Sequence, residues 1–177
     1  MYSLSENKLP KQQTPYYLYD SSLLKATLAQ ITDYTATSPF KVHYAIKACA
    51  NPAILNIIAK AGFGADCVSG GEIKAAVKAG FNPESIVYAG VGKSDEEIRY
   101  ALSCGIGCFN VESVEELEII QEIAASESKI ATVALRVNPD IDAHTHHYIT
   151  TGLKENKFGI DLRMLDNAVA KATNMAN

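Results

Sequence analysis

The residue whose type and place first suggest chemistry is Lys47, which closes the run Phe40-Lys-Val-His-Tyr-Ala-Ile-Lys47. The run reads as a strand. By two-residue alternation, His43, Ala45 and Lys47 share one face, with Val42, Tyr44 and Ile46 on the other. A lysine at the carboxyl end of such a strand, partly desolvated or beside a second cation, releases its proton more readily. The neutral amine can then attack a carbonyl and form a Schiff base. A carboxylate and an arginine nearby would orient and balance a charged cofactor. Both types recur at the ends of later β-prone runs, in Asp66-Cys-Val-Ser69, in Asn110 and Glu112, and in Ala134, Arg136 and Asn138. With the small and polar sets facing inward, one mouth holds Lys47, Asp66, Asn110, Glu112, Arg136 and Asn138.

Plainer readings stand beside these. The chain has 13 lysines, and a solvated lysine is the ordinary case. Asp66 and Arg136 read equally as a structural ion pair. Glu72 reads first as a helix cap, as do Ser69 and the glycines after it. His144, His146 and His147 lie close together, but they lack the His-x-x-x-His spacing of a helical metal site, and no Cys2His2 pattern is present. A mobile loop over the strand ends is the expectation for Asn138–Ile160.

The elements that must position these side chains form a repeat. β-prone runs occur at Phe40–Ile46, Phe63–Ser69, Ser85–Gly90, Gly107–Glu112 and Ala131–Asn138, so their starts are 23, 22, 22 and 24 residues apart. Amphipathic stretches lie between them at Ala53–Ala61, Glu72–Ala79, Asp95–Ser103 and Val114–Ala125. Asn51-Pro52 supplies a cap and a first-turn proline. Ser69…Glu72, Ser94…Glu97 and Ser113…Glu116 each fit the capping box. Strand, helix, strand at this spacing predicts parallel βα units. No GxGxxG follows the first strand, which disfavours a dinucleotide-binding sheet. The expected architecture is therefore α/β, a partial (β/α)8 TIM barrel of about five βα units with a trailing helix at Asp161–Thr173. A complete barrel takes about 250 residues. Residues 1–39 are expected to lead into it, with a strand at Thr14–Asp20 and a helix at Ser21–Tyr34.

Composition excludes several classes. The net charge is −4 with no basic run, so no nucleic-acid footprint is present. No segment approaches the roughly 18 apolar residues of a membrane span. Residues 1–13 are polar, unlike a secretory signal, and Cys49, Cys67, Cys104 and Cys108 form no CxxC pair. A cytoplasmic protein with reduced thiols is the expectation.

The segment His43-Tyr-Ala-Ile-Lys47-Ala resembles the Tyr-Ala-x-Lys-Ala motif of fold-type III pyridoxal-phosphate enzymes, the alanine-racemase-like decarboxylases. Within that group, four further stretches resemble the diaminopimelate decarboxylases. They are Gly64-Ala-Asp-Cys-Val-Ser-Gly-Gly-Glu72, Phe109-Asn-Val-Glu-Ser113, Leu135-Arg-Val-Asn-Pro-Asp140, and Thr145–Gly152 running to Lys157-Phe-Gly159. The similarity covers about Thr14 to Ile160, with the motifs in the family's order. It implies pyridoxal 5′-phosphate as cofactor, carried by Lys47, and decarboxylation of meso-2,6-diaminopimelate to L-lysine. It implies cofactor-side roles for Asp66 and Arg136. Glu72 matches an acidic position in the same motif as Asp66. His146 matches the histidine of His-x-Tyr-Ile-x-Thr-Gly and is taken as a cofactor-binding candidate, while His147 occupies the variable position with an unexpected residue.

Other features of the family have no counterpart here. These are the His-x-Gly-Ser segment, the glycine-rich phosphate loop, Glu-Pro-Gly-Arg, and the C-terminal β domain that contributes across a homodimer. The resemblance therefore implies an N-terminal portion that on its own is weakly folded, prone to associate and inactive. Three rivals remain, of which the first two are a decarboxylase for ornithine, arginine or carboxynorspermidine, and a non-catalytic barrel that binds pyridoxal phosphate. A scaffold fragment without ligand is the third.

Overall fold

The computed structural model describes residues 12–139 and 158–177. Its centre is a five-stranded parallel sheet in sequential order, made of β1 (His43–Ala45), β2 (Gly64–Cys67), β3 (Ile86–Tyr88), β4 (Cys108–Val111) and β5 (Val133–Leu135). The register steps evenly, with Ala45 beside Asp66, Asp66 beside Val87, and Asn110 beside Ala134. The connecting helices are α2 (Pro52–Lys60), α3 (Gly70–Ala79), α4 (Asp95–Cys104) and α5 (Val114–Ser126), preceded by α1 (Ser21–Thr35). Each of α2 to α4 packs on the next helix. This is part of a (β/α)8 barrel, as the repeat predicts.

Strand alternation decides which side chains are available for chemistry. Ala65 and Cys67 of β2, Ile86 and Tyr88 of β3, and Phe109 and Val111 of β4 are buried. They pack in one core with Leu55 and Ile58 of α2, Ile73 of α3, Ile98 of α4 and Ile120 of α5. The alternate positions Asp66, Val87 and Asn110 belong to the other face. Neighbouring strands approach closely at the amino ends. A Cβ on Gly107 would lie 2.1 Å from the Glu84 carbonyl oxygen, and one on Gly64 would lie 2.3 Å from the His43 ring.

The helix starts differ in detail from three identical capping boxes. Ser69, Ser94 and Ser113 all accept from the N–H three residues on. Only Glu97 returns to its own cap residue, accepting from Ser94 N. Glu72 and Glu116 reach one residue further back, to Val68 N and Glu112 N, at 2.7 and 2.8 Å. Ser69 and Ser113 are fully extended, with φ of −157° and −151°, against −83° at Ser94. That extension turns the preceding strand-end amide toward the helix.

Three other expectations change. Residues 14–20 form no regular strand, because no strand of the described residues runs beside them; they lead to Asp20, which caps α1. The first strand ends at Ala45, and a 3-10 turn at Ile46–Ala48 follows. The fifth run is divided: after β5 the chain continues as β6 (Val137–Asn138), which pairs in parallel with β7 (Ile160–Asp161). Asp161 is thus a strand residue whose carboxylate caps the 3-10 turn Leu162–Met164, and α6 spans Leu165–Asn174.

Candidate active site

Lys47 occupies the middle of the turn Ile46–Ala48 and is exposed. Ile46, fully buried, anchors the turn in the core. The Cys49 N–H closes it on the Ile46 carbonyl at 3.1 Å, and the Tyr44 hydroxyl donates to the Cys49 carbonyl at 3.2 Å. Lys47 is therefore held by a turn above the strand end, not by strand alternation, yet it faces the expected side.

A cavity of about 770 Å3 opens at the carboxyl ends of the strands. Lys47, Asp66, Asn110 and Arg136 all line it, joined by His43, Gly90 and Phe158. The hollow that includes residues at the opposite, amino ends is smaller, about 350 Å3.

Arg136 stands where the fifth strand changes partners. Its N–H donates to the Val111 carbonyl of β4, and its carbonyl accepts from Ile160 of β7 at 2.7 Å. Its Nη1 donates to both Glu112 oxygens, at 2.8 and 3.0 Å. The carboxylate that Arg136 engages is thus Glu112, not Asp66. Glu112 is deeply buried, its side chain 3% exposed, while Arg136 remains 49% exposed. The Phe158 ring lies 5.8 Å from the guanidinium carbon.

Behind this wall lies Lys93, with a side chain 1% exposed. Its Nζ donates to the Gly90 carbonyl at 2.7 Å, the Asn110 carbonyl at 2.9 Å and Glu116 Oε1 at 2.5 Å. Nothing in the sequence singled out Lys93. The available signal was its place in the third strand-to-helix loop, directly before the Ser94 cap. His43 was legible as a face-mate of Lys47 but not as a lining residue. Glu72 accepts from Val68 N and so ties the end of β2 to the start of α3. His146, His144 and His147 lie outside the described residues. Among the described residues no group of three His, Cys, Asp or Glu side chains is placed to hold a metal ion, and no helix is long and apolar enough to cross a membrane.

Residues 24–177 match the family model described as the pyridoxal-binding domain of the pyridoxal-dependent decarboxylases. The chain belongs to this family. The diaminopimelate decarboxylase of Bacteroides thetaiotaomicron is 56% identical over 172 residues, covering 97% of this chain and 45% of that protein. That of Pseudomonas aeruginosa is 46% identical over 162 residues, or 92% of this chain and 39% of that protein. The crystal structure of the Helicobacter pylori diaminopimelate decarboxylase complexed with L-lysine superimposes with a TM-score of 0.83 at 43% identity, over 94% of this chain and 42% of that one. The chain thus spans less than half the length of these relatives. Membership assigns pyridoxal phosphate as the family's cofactor, and the cavity suits it. Its volume lies in the range of small-molecule pockets, and it offers an amine, a carboxylate and a guanidinium in one hollow.

Proposed function

We propose that this chain forms the cofactor-bearing part of a pyridoxal-phosphate-dependent decarboxylase that converts meso-2,6-diaminopimelate to L-lysine and CO2. The observation that carries the reading is the convergence of Lys47, Asp66 and Arg136 on one cavity at the carboxyl ends of the strands. In barrel enzymes that end is where chemistry is placed. When bound, pyridoxal phosphate supplies an electron sink for the bond pair left by the departing carboxylate.

The chain's own residues do the rest. Lys47 offers an exposed amine that would hold the cofactor covalently. Asp66 presents a carboxylate that balances positive charge on the cofactor. Arg136, tethered by Glu112 yet half exposed, presents positive charge toward an anionic group. His43 and Phe158 contribute ring surfaces to the walls. His146 is assigned to the cofactor side from the Thr145–Gly152 motif. Residues 1–39 as a lead-in to the barrel, a homodimeric whole protein and a cytoplasmic location belong to the same reading. Diaminopimelate is preferred because similarity to diaminopimelate decarboxylases runs along nearly the whole chain, and because the Helicobacter pylori relative is complexed with L-lysine, the product of that reaction.

The test is an absorbance titration of the purified chain with pyridoxal phosphate, followed by borohydride reduction and peptide mapping. Label confined to Lys47 is the expected result. Meso-diaminopimelate added before reduction should remove that label, and ornithine or arginine should not. Scattered label would reject the cofactor assignment. Equal removal by ornithine or arginine would reject the substrate.

A further inference from the structure

We infer that Lys93 is a positioning residue of this site: its buried ammonium holds the Glu112–Arg136 pair, and with it one wall of the cofactor cavity, in register. The inference rests on the reading of Arg136 as a cofactor-side residue.

A buried lysine is costly unless each of its donors is satisfied. Lys93 has three acceptors for three N–H bonds, and the Tyr88 ring lies 5.2 Å from its nitrogen. Glu116 supplies the counter-charge. The other two acceptors are main-chain carbonyls of Gly90 and Asn110, both residues of the cavity wall. The connections then close on themselves. Glu116 uses its second oxygen to accept from Glu112 N at 2.8 Å. Glu112 accepts from Gly90 N at 3.2 Å as well as from Arg136. Gly90 is therefore gripped at its carbonyl by Lys93 and at its amide by Glu112. Its φ of +101° is one that residues with side chains rarely adopt. Two ion pairs, Lys93–Glu116 and Arg136–Glu112, are joined where the Glu112 N–H donates to Glu116. Removing the first cation frees both carbonyls and leaves Glu116, 15% exposed, without its counter-charge. The error is passed to Glu112 and then to the guanidinium in the cavity.

The experiment compares Lys93→Met, Arg136→Gln, their combination, and Lys93→Met with Glu116→Gln. It reads pyridoxal phosphate affinity by absorbance titration and Tm by calorimetry. Lys93→Met should weaken binding about tenfold, and adding it to Arg136→Gln should cost less than about threefold more, because residues in one network are not additive. Fully additive losses would overturn the inference. In the Lys93→Met/Glu116→Gln variant no buried charge is left single, so Tm should recover while affinity stays low. Recovery of affinity together with Tm would make Lys93 a folding residue only.

A second readout needs no cofactor. The chain has three arginines, so the guanidinium Nη1 amino group of Arg136, which donates to Glu112, can be followed by NMR. Its exchange with water should quicken severalfold in Lys93→Met, and unchanged exchange would overturn the inference. Failure of the wild-type chain to take label at Lys47 would instead defeat the functional reading, while the Arg136 signal would still decide whether Lys93 holds it.

Discussion

Two lysines near the strand ends have opposite fates. Lys47 is lifted on a turn into an open cavity, and Lys93 is sealed beneath the wall of that cavity. Their immediate sequences explain why. Lys47 follows Ile46, whose burial leaves the next side chain pointing outward, whereas Lys93 precedes a helix cap in a loop folded over Asn110 and Glu116. The cysteines show the same dependence on surroundings. Burial, then the charges of Glu72 and Asp66, push the Cys67 thiol up to about 12. Cys49 is shifted the other way, because the Tyr19 hydroxyl and then the Asn51 N–H hydrogen-bond to its thiolate. Sulfur and hydroxyl are 3.5 Å apart. A lowered thiol pKa means more thiolate near neutral pH, hence faster alkylation. Iodoacetamide mapped by mass spectrometry should modify Cys49 first and leave Cys67 intact, and Tyr19→Phe should slow Cys49. Equal rates at the two cysteines, or indifference to Tyr19→Phe, would contradict this account.

At the scale of elements, the helix starts do more than terminate helices. Glu97 closes its own capping box and also accepts from Gly70 N at 2.7 Å, so one carboxylate serves both α4 and the first turn of α3. These bonds, Gly70 first and Ser94 next, hold its carboxyl below the ordinary glutamate value of 4.5. A carboxylate with a depressed folded pKa stabilises the fold above its unfolded pKa. That stability is lost as pH falls through the lower folded value. Glu97→Gln should therefore cost about 1 kcal/mol near neutral pH, the usual scale of a cap. Urea titrations at falling pH should show the gap closing below 4.5. A gap that does not change with pH would mean that the ionised form is not the cap. The serine–glutamate phase and the 22-to-24-residue spacing were legible because each is a local pattern repeated. Asp66, Asn110 and Arg136 were legible as one mouth because alternation assigns faces, whereas Lys47 reaches the same mouth on a turn that alternation does not describe. β7 was not: a two-residue strand has no period, and Asp161 reads equally well as a helix cap. The partner of Arg136 was also hidden, since nothing local chooses between Asp66 and Glu112. Lys93 finds its acceptors 3, 17 and 23 residues away, in its own loop, on β4 and on α5.

Across the whole molecule, burial is unequal in a way that bears on the site. The large fully buried side chains belong to the sheet, the Ile46 turn and α2 to α5. The β7–α6 segment buries only Ile160 and Ala168, and it leaves Leu162, Met164 and Val169 exposed. Its polar ties to α5 are the exposed Lys171–Glu118 pair and the amide bonds between Asn177 and Gln121, beside the partly buried Ala172 and Met175, which pack against the core. Surface pairs of this kind contribute about 1 kcal/mol at most. Local opening should therefore begin there, and β2 to β4 should open only with global unfolding. Hydrogen exchange followed by mass spectrometry should show α6 exchanging first and the β2 to β4 peptides last. Arg136 joins these two regimes, because its carbonyl receives the Ile160 N–H while its side chain lies in the cavity. A ligand that binds only the closed state stabilises whatever that state requires. Pyridoxal phosphate should thus slow exchange in β6 and β7 as well as around Lys47. Protection confined to the Lys47 turn would show that Arg136 does not couple the cofactor site to β7.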